Sequence, residues 1–446
     1  MSFGLTAKLK DKLIADALAR KLRQTGEPVT PPVPQAGTTA TKTDIPQAHY
    51  RFHLHPQYQQ LRIINDGAAR LGIKSPFFKL HDGRADAHTE IAGKRYVNFA
   101  SYNYLGMADD PVVTAAAKAA IDRYGTTVSA SRLVSGERPV HRELERSLAE
   151  LYQTDDAIVF VSGHATNVST IGHLFGPREL VLHDEFIHNS VLQGIQLSGA
   201  RRLPFPHNDA HALDTLLAAQ RHQFERVLIV VEGIYSMDGD FPDLPAFIDI
   251  KRRHKTFLMV DEAHSLGVMG ENGYGIREHF GLAGNDVDLW MGTLSKSLAG
   301  CGGYIAGETA LIEHLKFLAP GFLYSVGMPP AMAAASLAAL QQMLAHPRRV
   351  ARLQANGMQF LSLAKQAGVN TGTSTGLAVI PAIAGSSIRA ARWSRAMFEQ
   401  GYNVQPILYP AVPEQAARLR FFVSCTHTEA QIASAVKSLE KIIKTL

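Results

Sequence analysis

The stretch Asp288–Gly307, DLWMGTLSKSLAGCGGYIAG, sets Lys296 between two serines, directly after an apolar run and ahead of a cluster of glycines. The run reads as a strand covered on both faces, because adjacent rather than alternate positions are apolar. A lysine where such a strand ends is either a loop side chain in solvent or a nucleophile held close to backbone. The glycines beyond it would let the chain pass near a ligand without a side-chain clash. For a lone lysine the first reading is the default, so its company along the chain decides.

Similar runs lie upstream and downstream: AIVFVSG (157–163), ELVLHD (179–184), RVLIVVEG (226–233), FLMVDEAH (257–264) and GGYIAGE (302–308). Helical patterns such as HRELERSLAELYQ and ALDTLLAAQRHQ separate most of them, which predicts a mainly parallel α/β sheet. Beyond Met328-Pro329-Pro330 the text changes to a long Ala-rich helix, then LAVIPAI, YNVQPILYP and RLRFFVSCTHTEAQI, expected as a smaller α+β unit. The 446 residues are more than one core usually serves, and 46% apolar with 19% charged residues is ordinary for a globular chain. No apolar stretch is long enough to span a bilayer, the start lacks the pattern of a secretory signal, and two cysteines, Cys301 and Cys425, argue against a disulfide framework. A cytoplasmic location is the expectation. The net charge of +5 is mostly local: Lys8, Lys10, Lys12, Arg20, Lys21 and Arg23 against Asp11 and Asp16 give +4 within residues 1–23. The body is nearly neutral and no nucleic-acid-binding motif accompanies it, so a nucleic-acid role is not expected.

In open α/β sheets ligands sit beyond the carboxyl ends of the strands, so the residues just after each run are the informative ones. After AIVFV comes Ser162-Gly163-His164-Ala165-Thr166-Asn167, a small-residue turn into a helix whose free N–H groups favour an anion. After FLMV comes Asp261-Glu262-Ala263-His264, and after VDLWM comes Gly292-Thr293-Leu294-Ser295-Lys296. A phosphate cradle, an acid and a lysine, each at a strand end, are the needs of pyridoxal 5′-phosphate: a lysine for its Schiff base, an acid for the pyridinium nitrogen, amides and hydroxyls for the phosphate. Lys296 is thereby the expected nucleophile.

At this point the chain resembles the α-oxoamine synthases, fold-type I pyridoxal-phosphate enzymes that include 8-amino-7-oxononanoate synthase, serine palmitoyltransferase, 5-aminolevulinate synthase and glycine C-acetyltransferase. The resemblance rests on NFASYNYLGM (98–107), VVEGIYSMDGDFPDL (230–244), VDEAHSLGVMGENGYG (260–275), GTLSKSLAGCGGYIAG (292–307), FLYSVGMPP (322–330) and RLRFFVSCTHT (418–428), and covers most of residues 90–440. Ahead of the matched region, Leu5, Leu9, Leu13 and Ala17 recur every four residues and predict an amphipathic helix, and a Pro/Thr-rich linker follows it, together a tail over 1–48. The resemblance implies a large domain with a mainly parallel seven-stranded sheet over 106–330, a C-terminal small domain over 331–446 and an N-terminal arm over 49–105. It also implies roles. His188, of the D-x-x-x-H string that starts at Asp184, would stack on the cofactor ring, with Ala263 on the other face. Asp261 would pair with the ring nitrogen, and His264 and Ser236 would reach the 3′-oxygen. Gly163, His164 and Thr293 would hold the phosphate, joined by Ser325 from a second subunit of a homodimer. Arg420 would bind the amino-acid carboxylate, and Asn103 is carried over as a substrate contact. Three departures stand out: Ser325-Val326 where Ser-Thr is frequent, His-Asn-Ser at 188–190 for the commoner His-Ala-Ser, and Tyr102-Asn103, of the serine palmitoyltransferase type.

The activity implied is condensation of a small amino acid with an acyl thioester, from coenzyme A or an acyl carrier protein, with loss of CO2. The basic tail could approach an acidic carrier. An aminotransferase or aldolase on the same fold and a non-catalytic scaffolding subunit remain alternatives, since fold alone does not set reaction type.

Overall fold

The structure is a computed structural model that describes residues 45–70 and 75–446. The expected amphipathic helix and most of the linker after it lie outside the described residues. The chain divides into two compact units, Met1–Lys79 and Leu80–Leu446. In the first, a helix runs Pro56–Arg70, opened by a proline that has no amide to leave unpaired.

The second unit carries thirteen strands: β1 (His88–Ile91), β2 (Lys94–Asn98), β3 (Asp156–Phe160), β4 (Leu180–Asp184), β5 (Arg201–Phe205), β6 (Val227–Glu232), β7 (Phe257–Asp261), β8 (Leu289–Thr293), β9 (Gly303–Gly307), β10 (Val379–Ile383), β11 (Tyr402–Asn403), β12 (Gln405–Ile407) and β13 (Arg418–Phe422). Seven form one sheet in the order β3-β9-β8-β7-β6-β4-β5, and only β9 runs antiparallel to its neighbours. This is the mainly parallel seven-stranded sheet that the resemblance implies. Strands β4, β6 and β9 are buried at every position, and β7 and β8 at four of their five, so their unbroken apolar text has a plain cause. β5 could not be read that way. It is an edge strand whose RRLPF sequence carries two exposed arginines and a proline, which an edge tolerates.

The antiparallel β9 answers the question posed by Lys296. Parallel neighbours need a long crossover, but β8 and β9 are joined by a short loop, 294–302, that stays at one end of the sheet and carries the lysine. Close packing fixes the glycines beyond it: a Cβ on Gly303 would come within 2.6 Å of the Gly163 Cα, and Gly302 has φ 152°.

A second, antiparallel sheet, β10-β13-β12, has its own core of Phe360, Trp393, Leu419, Phe421 and Leu439, and Phe99 from the segment after β2 joins it. β1 and β2 pair with each other and then with β11, tying residues 88–98 to the C-terminal part of the chain. The Ala-rich helix Pro330–Ala345 gives Ala333, Leu340 and Met343 to the core of the seven-stranded sheet. Among the described residues no helix is long and apolar enough to cross a membrane.

Candidate active site

Five strand ends converge on one cleft of about 190 Å³ lined by Gly163, His164, Asn167, His188, Glu232, Asp261, Ala263, His264, Thr293 and Lys296, among others. A larger cavity, about 710 Å³, includes the starts of β7 and β8 and the end of β9, Phe257, Leu289 and Gly307, and contains none of these residues. The smaller cleft carries the chemistry because the polar strand-end residues are there.

β3 delivers Ser162, whose hydroxyl accepts the Ala165 amide at 3.4 Å and caps the helix Gly163–Leu174. A Cβ on Gly163 would lie 2.8 Å from the Thr293 hydroxyl oxygen, so only glycine lets the end of β8 sit against this helix start. β7 delivers Asp261, which accepts hydrogen bonds from Asn167 Nδ2 at 3.0 Å and from the Ala263 amide at 3.0 Å. Both donors meet acceptor oxygens of the carboxyl, the side a protonated ring nitrogen would also approach.

β4 leads to His188, the N-cap of the helix Asn189–Ser198. A hydrogen-bond chain joins it to Asp261: Asn167 Nδ2 donates to Ser190 Oγ at 2.9 Å, and Ser190 Oγ lies 2.7 Å from His188 Nδ1. The Ser190 amide also points at Nδ1, at 3.3 Å, so that nitrogen accepts and the ring proton sits on Nε2. Burial lowers the His188 pKa against the pull of Asp261, and the positive charges of Lys296 and Arg420 add to the lowering. His264 is likewise neutral: burial first, then Lys296 and Arg420, push its pKa well below the usual range. Its Nδ1 lies 2.7 Å from the hydroxyl of fully buried Tyr104, whose own pKa burial raises well above normal. The phenol therefore donates to Nδ1, and His264 carries its proton on Nε2.

Lys296 is half-buried and, among the described residues, no carboxylate stands within ion-pair distance of it. Burial lowers its pKa from 10.5 to about 8; Asp261 and Glu232 oppose this and Arg420 adds to it. The Tyr102 ring lies 5.7 Å from its Nζ. Arg420, on β13, donates from Nη1 to the Ser236 carbonyl at 3.1 Å and stacks over Phe422 at 4.6 Å. No acidic side chain pairs with it among the described residues, whereas Arg418, two positions earlier, is bound to Asp238 at 2.5 Å. An unpaired guanidinium beside an unpaired lysine suits a carboxylate ligand.

Of the expected site residues, Gly163, His164, His188, Asp261, Ala263, His264, Thr293 and Lys296 line the cleft together; Ser236 and Arg420, bonded to each other, are not among its lining residues, but the charge of Arg420 acts on His188, His264 and Lys296. Ser325 lies at the surface between exposed Tyr324 and Val326. Asn103, expected as a substrate contact, is not among the residues that line the cleft; its Nδ2 donates to the Ala85 carbonyl at 2.6 Å and its Oδ1 accepts the Ala108 amide at 3.2 Å, so the amide joins the segment before β1 to the one after β2. Asn167, Ser190, Tyr104 and Glu232 were missed. Only Glu232 had a readable signal, since it ends an apolar run as Asp261 does.

A helix start packed on Thr293, an anionic Asp261 and an uncharged-capable lysine fit pyridoxal 5′-phosphate. Residues 94–439 match the model of the aminotransferase class I and II family. The chain belongs to that family. It is 42% identical over 368 residues to 8-amino-7-oxononanoate synthase of Geobacter sulfurreducens, covering 82% of this chain and 93% of that protein. A high-resolution structure of serine palmitoyltransferase with its PLP internal aldimine superposes with a TM-score of 0.83 at 28% identity, over 87% of this chain and 99% of that one. The 8-amino-7-oxononanoate synthase of Francisella tularensis superposes with a TM-score of 0.68 at 26% identity, over 78% and 98%. The chain is an α-oxoamine synthase, a pyridoxal-phosphate-dependent acyltransferase.

Proposed function

We propose that this synthase joins a small amino acid, of the glycine, alanine, serine or threonine kind, to an acyl thioester carried by coenzyme A or an acyl carrier protein, releasing CO2 and an α-aminoketone. The observation that carries the reading is the unpaired Arg420 guanidinium beside Lys296. The relatives named 8-amino-7-oxononanoate synthase favour a thioester donor over a keto-acid acceptor. When bound, the cofactor supplies the electron sink that makes a Cα carbanion accessible. Gly163, His164 and Thr293 would hold its phosphate, Asp261 its ring nitrogen, and His264 Nε2–H its 3′-oxygen.

The chain's own residues do the rest. Arg420 fixes the amino-acid carboxylate, and Lys296, with a pKa of about 8, takes the Cα proton onto Nζ as a neutral amine. His188 Nε2–H donates to the thioester carbonyl as charge develops on it. After the thiol and CO2 have left, Lys296 returns a proton to carbon. Ser325 would complete the phosphate site of a partner copy. Exposed Tyr324 and Val326 beside it, and Leu133 and Val134 elsewhere on the surface, support a homodimer.

The test is Cα–hydrogen exchange. The loaded protein in D2O should exchange the Cα proton of one or more of the four amino acids, and Lys296→Ala should abolish this. Pyridoxamine formation with a keto acid, and no CO2 release with any thioester, would overturn the proposal.

A further inference from the structure

Glu232 and Asp261 close neighbouring parallel strands in direct register and line the same cleft. Their surroundings differ. Asp261 has two donors, from Asn167 and Ala263. Glu232, 3% exposed, has one oxygen, Oε1, with no partner at all. Its carboxyl group is faced by the backbone amides of His188 and Ser236. Two carboxyls placed side by side away from water do not both ionise, and the one with the better donors keeps the charge. Here that one is Asp261.

We propose that Glu232 is a positioning residue held as a neutral carboxylic acid between the turns that carry His188 and Ser236, leaving Lys296 unclamped by a second anion. The Ser236 carbonyl in turn receives Arg420, so the turn beside Glu232 also serves the amino-acid end of the site. The charged and titratable groups that face Glu232 across the cleft are Asp261 and Lys296, with His188, His264, His164 and Arg420 around them. Burial and then Asp261 raise the Glu232 pKa well above the carboxylate range, against Lys296 and the two amides. An anionic Glu232 would hold Lys296 as an ammonium ion and withdraw the amine that must accept a proton.

The kinetic half of this inference rests on the proposed acyl transfer; the spectroscopic half does not. Infrared difference spectra of the cofactor-free protein, wild type minus Glu232→Gln at pH 7, should show a protonated carboxyl C=O stretch. Carboxylate bands in its place would overturn the proposal. Glutamine keeps an acceptor and no charge, so in Glu232→Gln the titration of Lys296, followed by NMR after reductive ¹³C-methylation, should stay near that of the wild type. A marked downward move would show that an anion had been removed, and would also overturn it. Glu232→Ala should raise KM for the amino acid about tenfold through loss of the neutral group packed beside the Ser236 turn that receives Arg420, and glutamine should restore it. Should both variants fail to fold, the C=O band of wild-type protein labelled with ¹³C-glutamate is followed from pH 5 to 9. Its disappearance below pH 6 would count against a neutral Glu232. If the infrared band is present but no thioester is consumed, the proposed reaction fails and the state of Glu232 stands.

Discussion

The titration of Lys296 is the sharpest consequence of the site's geometry. A lysine in water ionises near 10.5, and this one is brought to about 8 chiefly by burial. At about 1.4 kcal/mol per pH unit the difference is about 3 kcal/mol, and at pH 7 it leaves about one amine in ten neutral instead of about one in three thousand. Only the neutral amine attacks an aldehyde. The rate at which cofactor-free protein captures pyridoxal phosphate, trapped by borohydride, should therefore rise about tenfold per pH unit below pH 8 and flatten above it. Lys296→Ala supplies the background from surface lysines. Arg420→Gln should move the flattening to higher pH, because a positive neighbour is removed. A rate that keeps climbing past pH 9.5 would refute the argument that burial controls this amine. The sign also sets a stability effect. The folded pKa lies below the unfolded one, so the charged lysine costs stability in full below pH 8, and the cost fades as pH rises through 10.5.

Tyr104→Phe removes the hydroxyl that donates to His264 Nδ1; the ring should lose its fixed tautomer, visible in its ¹⁵N shifts without cofactor, and turnover should fall about tenfold for one lost buried hydrogen bond. Unchanged shifts would show that the phenol does not set the tautomer. A second histidine, His207, lies between Asp184 at 2.9 Å and Asp240 at 3.0 Å, and Thr373 also donates to Asp240, at 2.6 Å. Burial alone would lower its pKa, but the two carboxylates raise it to about 10. Its stabilisation is complete below the unfolded value near 6.5 and is lost as pH rises through 10. His207→Gln should cost about 3 kcal/mol at pH 7 by urea denaturation, with the gap to wild type closing above pH 10. A gap that persists there would mean the imidazole acts by shape rather than charge.

The sheet was legible because burial on both faces writes itself as unbroken apolar text, and the ends of that text pointed to Asp261, Thr293 and Lys296. β5 was not, since an edge strand needs no apolar run. The partners that decide protonation state were also hidden. Asn167 and Asp261 are 94 positions apart, and Tyr104 and His264 are 160 apart. Spacing along a chain says nothing about which hydroxyl meets which imidazole. Asn103 shows the converse: it sits inside a recognisable string, yet its amide bonds the backbone of Ala85 and Ala108, which the string does not foretell.

These hidden partners share one physical pattern. Groups that must stay uncharged, His188 and His264, each meet a hydroxyl, Ser190 or Tyr104, that leaves the outer nitrogen as the donor. Groups left charged or chargeable without a carboxylate partner among the described residues, Lys296 and Arg420, are the ones that must meet a ligand. Asp261 alone is given full hydrogen-bond support as an anion. A cation drawn part-way out of water without a counter-charge carries a desolvation cost, which a stability-driven sequence would remove by supplying a carboxylate, as it does for Arg418 with Asp238. At Arg420 and Lys296 it does not, so the carboxylate of a bound amino acid and the aldehyde of the cofactor gain the interactions that the fold leaves unmade.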